Sequence, residues 1–253
     1  MKTIKISIAV IFTAGVLLFA CNQDLTLKDG LFITNKYTSI TPEIAGDIHT
    51  AVSEQVCNKL EDWVKGEFSY SDAIDELWDT IFIGSFVDET GLDPDSIEAF
   101  LYNAFGLTKN NADEWSIYDV EITDSTFQNL YDDITDKVDE ELDSTSFVQA
   151  MSEIRDNFDS LIDEDELDAI LEISKSSYLY WYDNYEDCLG VYIPYRLSPC
   201  QKMVVGGDIR GAISGVISSW WSGLGAIGGA VTGAMVGTLM GAVEAGITYG
   251  QGC

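Results

Sequence analysis

Glycine recurs at every fourth position near the C-terminus, and this row limits the fold more than any other feature of the sequence. The row contains Gly225, Gly229, Gly233, Gly237 and Gly241. A second row, two positions later, carries Ile227, Val231, Met235, Leu239 and Val243. Because a helix turns by about 100° per residue, the two rows lie on opposite faces of one helix. The six glycines between residues 225 and 243 cost an isolated helix about 6 kcal/mol relative to alanine, so another element must press against the glycine face.

An earlier block repeats this pattern in a shifted register. Its small row is Gly211, Gly215 and Ser219, and its large row is Ile213, Ile217 and Trp221. The register changes between Ser222 and Gly225, which predicts a turn and therefore a helical hairpin. We expect the glycines of both blocks to mediate close helix packing. The sequence does not decide which element packs against the glycine face. The earlier block, a second copy of the chain or the rest of the protein could each do so.

The same C-terminal segment raises the question of membrane contact. Residues 225–246 as a helix are about 33 Å long, enough to span a bilayer, whereas residues 211–222 reach only about 18 Å. Seven of the 19 residues from 225 to 243 are large and apolar, so insertion is energetically marginal. Residues 208–248 are therefore expected to pack within the protein, to form a homo-oligomer or to meet a membrane.

Residues 1–20 have the three parts of an export signal, namely a basic start, an apolar run and a small residue before Cys21. The sequence Leu18-Phe19-Ala20-Cys21 resembles the lipobox of bacterial lipoprotein precursors, with Phe19 in place of the usual small residue. This resemblance implies cleavage before Cys21, lipid on Cys21 and a polar tether over residues 21–40. It also implies that membrane lipid is a partner and that the protein lies in the cell envelope, at the outer membrane. The alternative is an ordinary secretory signal.

Composition restricts the remaining partners. The chain has 43 acidic and 13 basic residues and a formal net charge of −30. Such a charge repels phosphate backbones, so we expect no nucleic-acid partner. Most of the carboxylates are expected to form a solvated surface, because 46% hydrophobic residues supply ample material for a packed core.

The segment 41–202 shows helical periodicity almost throughout. Apolar rows at helical spacing occupy residues 44–63, 74–82, 97–105, 127–138, 147–158 and 167–181. Alternation of period two is nearly absent outside residues 116–122. We therefore predict an all-α fold, with an acidic helical bundle over residues 41–202 followed by a small-residue hairpin over residues 203–253 and a boundary near Gly206.

No pattern in the sequence indicates catalysis or metal binding. His49 is the only histidine, and neither H-E-x-x-H nor G-x-S-x-G occurs. The acidic runs at residues 88–98 and 163–166 do not match the spacing of a calcium-binding loop. We expect no catalytic residues, no metal, no cofactor and no enzymatic activity. The opposing hypothesis is an envelope enzyme with polar residues around a cleft near His49.

The cysteines other than Cys21 fit an oxidising compartment. Cys57, Cys188, Cys200 and Cys253 are even in number, which permits three pairings. Our first choice pairs Cys188 with Cys200, because that loop contains Gly190 and two prolines, and it leaves Cys57 to pair with Cys253. No C-x-x-C motif is present.

A second resemblance concerns the C-terminus. Gly206 and Gly207 precede a 46-residue tail rich in G-x-x-x-G, which is similar to a double-glycine leader followed by a small bacteriocin. This resemblance implies a membrane-active or pore-forming segment, as the alternative to a lipid-anchored protein whose hairpin mediates packing, oligomerisation or membrane association.

Overall fold

The computed structural model describes residues 41–64, 94–108, 116–184, 197–222 and 225–249. Within these ranges the chain forms seven α-helices and no strand, which confirms the predicted all-α fold. The helices are α1 (Pro42–Val64), α2 (Pro94–Phe105), α3 (Ser125–Asp139), α4 (Ser144–Phe158), α5 (Glu164–Asp183), α6 (Pro199–Ser222) and α7 (Gly225–Tyr249). A 3-10 turn, Ile117–Asp119, precedes α3.

Local sequence signals account for the ends of these helices. Aspartates cap three of the N-termini: Asp124 accepts a hydrogen bond from the Thr126 amide at 2.8 Å, Asp143 from Ser146 at 3.0 Å and Asp163 from Asp165 at 3.1 Å. Gly106 ends α2 with a φ of +65°, a conformation that favours glycine. Five of the six predicted rows coincide with α1 to α5, and the row at residues 74–82 lies outside the described residues.

The hairpin of α6 and α7 lies inside the protein. Helix α7 contacts α6, α1 and α5, while α6 also contacts α3 and α5. Both rows of α7 are covered between residues 228 and 242, because Val231 and Met235 of the large row are at most 1% exposed and Gly233 and Gly237 of the glycine row are buried. A helix that is apolar on every side and covered on every side belongs to a protein core.

The change in composition near residue 203 does not coincide with a break in the structure. Helix α6 begins at Pro199 and continues through Gly206 and Gly207 to Ser222. Buried residues of α6 and α7 belong to the same hydrophobic core as those of α1, α4 and α5. The predicted boundary near Gly206 therefore falls inside a helix, and the hairpin and the acidic bundle share one core.

Acidic residues of the outer helices face solvent. Examples are Asp132, Asp133 and Asp136 of α3, all of which are exposed.

Arg155 of α4 is the centre of one local ion-pair network. Its Nε and a terminal nitrogen donate to the two carboxylate oxygens of Asp168 on α5, at 2.6 and 3.1 Å. This two-point contact fastens α4 to α5 at the surface.

Candidate functional site

The glycine rows of α6 and α7 lie directly against each other. A methyl group built on Gly211 would come within 2.0 Å of the Gly233 carbonyl oxygen, and one on Gly215 within 1.9 Å of the Gly229 carbonyl oxygen. No side chain fits between backbones this close. The glycine face of α7 is therefore covered by α6 of the same chain, which was one of the three partners that the sequence left open.

The structure changes the predicted set of packing glycines at two positions. Gly207 belongs to the interface, since a methyl group there would lie 2.8 Å from the Gly237 carbonyl oxygen. Its spacing from Gly211 and Gly215 was the signal that could have placed it. Gly225 has a φ of +71° and no atom within 4 Å of an added methyl group, so it forms the turn and takes no part in helix packing. Gly241 continues the row against Val204, at 3.1 Å.

Length and composition would allow one helix among the described residues to cross a membrane. This is the Gly225–Ala242 part of α7, and 83% of it is buried inside the protein. Burial of this kind is also typical of the core helix of a soluble protein. Membrane contact by α7 would require the helix to leave its contacts with α1, α5 and α6.

Five polar side chains meet inside the core where α1, α5, α6 and α7 come together. They are His49, Ser176, Ser177, Asp208 and Thr238, and we call them the His49 cluster. Ser176 is partly exposed, and the other four are 0% exposed. Buried polar groups of this kind need hydrogen-bond partners to offset the loss of water.

The Asp208 carboxylate is the acceptor at the centre of the His49 cluster. It receives hydrogen bonds from the Ser177 hydroxyl at 2.5 Å and the Thr238 hydroxyl at 2.7 Å. His49 Nε2 lies 3.1 Å from Asp208 Oδ2 and also 3.1 Å from Thr238 Oγ1. Because a carboxylate only accepts, this geometry assigns the Nε2 proton to the histidine. Through these three contacts, Asp208 connects α6 to α5, α7 and α1.

The other ring nitrogen of His49 faces α5. Nδ1 lies 3.2 Å from the Ser176 hydroxyl oxygen. The same hydroxyl lies 2.9 Å from the Ile173 carbonyl oxygen one turn earlier, so its proton can point to either acceptor. In the neutral form of the ring with the Nε2 proton towards Asp208, Nδ1 carries the lone pair and can accept the Ser176 proton.

Ser176 is the one member of the His49 cluster that lines a surface groove. The groove has a volume of about 530 Å³ and runs between α1, α4 and α5. Its apolar part is formed by Val148, Leu179 and Tyr180, and its charged part by Glu43, Asp47, Glu172, Lys175 and Asp183. The groove is therefore bordered by a partly exposed serine whose histidine partner is buried.

Sequence reasoning predicted no constellation around His49, and the distances along the chain explain this. Ser176 and Thr238 lie 127 and 189 positions away from His49, and no spacing motif relates residues on separate helices. Asp208 offered one signal, since it is a carboxylate within a segment of small and apolar residues. A single carboxylate in such surroundings indicates that it is buried and hydrogen-bonded to another polar side chain.

The half-buried Glu244 of α7 lies at the far end of the hairpin and gives a testable effect of pH. Its Oε1 accepts a hydrogen bond from Ser116, while its Oε2 is buried without a partner among the described residues. Burial raises the pKa of the Glu244 carboxyl above its usual value, and the hydrogen bond from Ser116 partly opposes this.

We expect Glu244→Gln to raise the free energy of unfolding at pH 7, by less than about 1 kcal/mol because the group is partly solvated. A carboxyl whose pKa is raised on folding contributes stability below its unfolded pKa and loses it as the pH rises through its folded pKa. The gain should therefore vanish below about pH 4. Urea denaturation at pH 7 and below about pH 4 measures this gain in stability. Glu153→Gln on the exposed face of α4 is the control for charge removal. A gain that persists at low pH would contradict the assignment.

The remaining predicted sites lie partly outside the described residues. Cys57 of α1 and Cys200 in the first turn of α6 are buried, but Cys188, Cys253 and the lipidation site Cys21 are outside. The two disulfide pairs remain predictions. Among the described residues, no group of three or more histidine, cysteine or acidic side chains is placed to hold a metal ion.

No protein-family model, curated protein or solved structure matches this chain.

Proposed function

We propose that this protein is a lipoprotein of the bacterial cell envelope, held at the outer membrane by acyl chains on Cys21. The observation that carries the proposal is the sequence Leu18-Phe19-Ala20-Cys21 behind a basic and apolar leader. One acyl chain holds a protein to a bilayer only reversibly, whereas two or three chains hold it durably.

The tether and the charge of the body are consistent with this arrangement. Residues 21–40 can extend over at most about 70 Å, at about 3.5 Å per residue, between the lipid and the start of α1. Removal of residues 1–20 takes away Lys2 and Lys5 and makes the body still more acidic. Such a body is repelled by anionic lipid headgroups, so the acyl chains rather than the protein surface would supply the attachment.

In this proposal the α6–α7 hairpin is an internal packing element of the folded body. The support is that its glycine faces are occupied by each other and that its other faces are buried against α1 and α5. A second copy or a bilayer would have to displace contacts that the chain already makes with itself. The hairpin then leaves the acidic outer helices as the surface available to partners in the envelope.

Cys21→Ala tests the anchor. We expect the wild type to sediment with membranes and to carry a diacylglyceryl mass on its N-terminal cysteine, while Cys21→Ala loses the lipid and most of its membrane association. Cell fractionation and mass spectrometry of the N-terminus measure both effects. Asn22→Ala, one residue further along, is the matched control and should stay with the membrane. A soluble wild type with an unmodified cysteine would refute the proposal.

A further inference from the structure

The His49 cluster contains a hydroxyl, an imidazole and a carboxylate in a continuous hydrogen-bonded order. Ser176 Oγ lies 3.2 Å from His49 Nδ1, and His49 Nε2 lies 3.1 Å from Asp208 Oδ2. A nucleophile within hydrogen-bond reach of a base, with the base oriented by a third group, is the general signature of an activated nucleophile. Asp208 is itself held by Ser177 and Thr238, so the imidazole has little freedom to turn.

We propose that Ser176 is an activated nucleophile, and that it accepts an acyl group from an uncharged, activated ester bound in the groove. This activity goes beyond the anchoring role and does not depend on it. The groove would give a substrate access to Ser176, which lines it, while His49 and Asp208 are fully buried behind Ser176. From the groove, the base can therefore be reached only at the position of the Ser176 hydroxyl.

The proposed step conserves atoms and charge. Ser176 Oγ forms a bond to the carbonyl carbon of the ester as its proton passes to His49 Nδ1, and the imidazolium is stabilised by the Asp208 carboxylate. The carbon–oxygen bond to the leaving alcohol then breaks, and the alcohol takes the proton from His49 Nδ1. The product is an O-acyl serine, which water can hydrolyse with His49 again acting as the base.

The position of Ser176 in the middle of α5 restricts the substrate class. The backbone N–H groups beside it bond within the helix, so they are not available to stabilise the oxyanion of a tetrahedral intermediate. Without such donors a reaction loses a factor of about 10² to 10³. The expected substrates are therefore esters with a good leaving group, and the expected behaviour is one slow acylation rather than rapid turnover on amides.

Charge in the groove restricts the substrate further. Glu43, Asp47 and Asp183 line it together with Glu172, and the basic Lys175 is paired with Glu172. An anionic ester would be repelled by this lining. Val148 and Leu179 offer apolar contact for a short acyl chain.

The test uses the full-length protein in detergent with two probes, p-nitrophenyl acetate and an uncharged alkyl fluorophosphonate. Peptide mass spectrometry is expected to find the acetyl or phosphonyl group on Ser176. Ser176→Ala should abolish this modification. Ser152→Ala is the matched control, because Ser152 is an exposed serine of α4 that bonds only to the Val148 carbonyl oxygen, and this variant should be modified at Ser176 like the wild type.

The contribution of the base is measured separately. His49→Gln retains a side-chain N–H that can face Asp208 but lacks the basic nitrogen, and it should slow the modification of Ser176 by about 100-fold or more. Far-UV circular dichroism must show that this variant is folded. Since Ser176 is partly exposed, Ser176→Ala serves as a test even if the histidine variant unfolds. An unmodified Ser176 in folded wild type, or equal rates at Ser152 and Ser176, would overturn the proposal, whereas Cys21→Ala should leave the modification unchanged.

Discussion

Gly233→Ala is expected to lower the free energy of unfolding by about 3 kcal/mol. The new methyl group would lie 1.9 Å from the carbonyl oxygen of Gly211 and 2.7 Å from its carbonyl carbon. Both atoms belong to the backbone of α6, so no side-chain rotation can relieve the contact and the two helices must separate. Overpacking of a core costs about 1–3 kcal/mol and more when the backbone has to move, which exceeds the gain of about 1 kcal/mol from replacing a helical glycine by alanine.

Gly206→Ala is the matched control for this prediction. Gly206 lies in α6 one position before the interface residue Gly207, but a methyl group there would meet the hydroxyl end of Tyr118 at 3.2 Å. A side-chain end can move by a few tenths of an ångström, so the change in stability should stay within about 1 kcal/mol. Urea denaturation followed by far-UV circular dichroism compares the two variants with the wild type. Equal stability of Gly206→Ala and Gly233→Ala would contradict the close helix packing described above.

Asp208→Ala is expected to lower the free energy of unfolding by about 3–5 kcal/mol, because each buried polar group that loses its partner costs about 1–3 kcal/mol, and hydrogen bonds to a charged acceptor are the stronger ones. The substitution removes the acceptor of Ser177, Thr238 and His49 Nε2 at once. Each of these donors is fully buried, so water cannot replace the carboxylate without opening the core. The loss should appear in the same denaturation experiment.

Asp132→Ala on the exposed face of α3 is the control for losing an aspartate and should change stability by no more than about 0.5 kcal/mol. A double-mutant cycle with His49→Ala separates the pair from its surroundings. Because both substitutions remove the same contact, the double variant should be less destabilised than the sum of the single variants. Additive losses would mean that His49 and Asp208 act independently.

Together these two predictions distinguish an internal hairpin from an appended one. If α6 and α7 share the core of α1 and α5, loss of either the glycine contact or the Asp208 contacts should shift one cooperative transition of the whole protein. An appended hairpin would lose its own structure and leave the unfolding of the acidic helices unchanged.

Sequence periodicity was sufficient to predict the helices, but it was not sufficient to predict the His49 cluster. The apolar rows are local signals, and they predicted α1 to α5 close to their observed ends. The turn between the glycine blocks followed from a change of register at Ser222 to Gly225 in the same way. By contrast, Ser176 and Asp208 are linked to His49 only through the arrangement of three helices, and no local pattern carries that information.

The amino-acid pattern alone determined which segments are helical, that one helix must present a bare glycine face, and that the N-terminus resembles a lipoprotein leader. These properties depend on neighbouring residues, whose spacing can be read directly. Only the tertiary structure decided that α6 covers the glycine face of α7 and that the sole histidine lies between a groove-lining serine and a buried aspartate. Such contacts depend on which helices pack together, and packing selects among several faces that are equally apolar in the sequence.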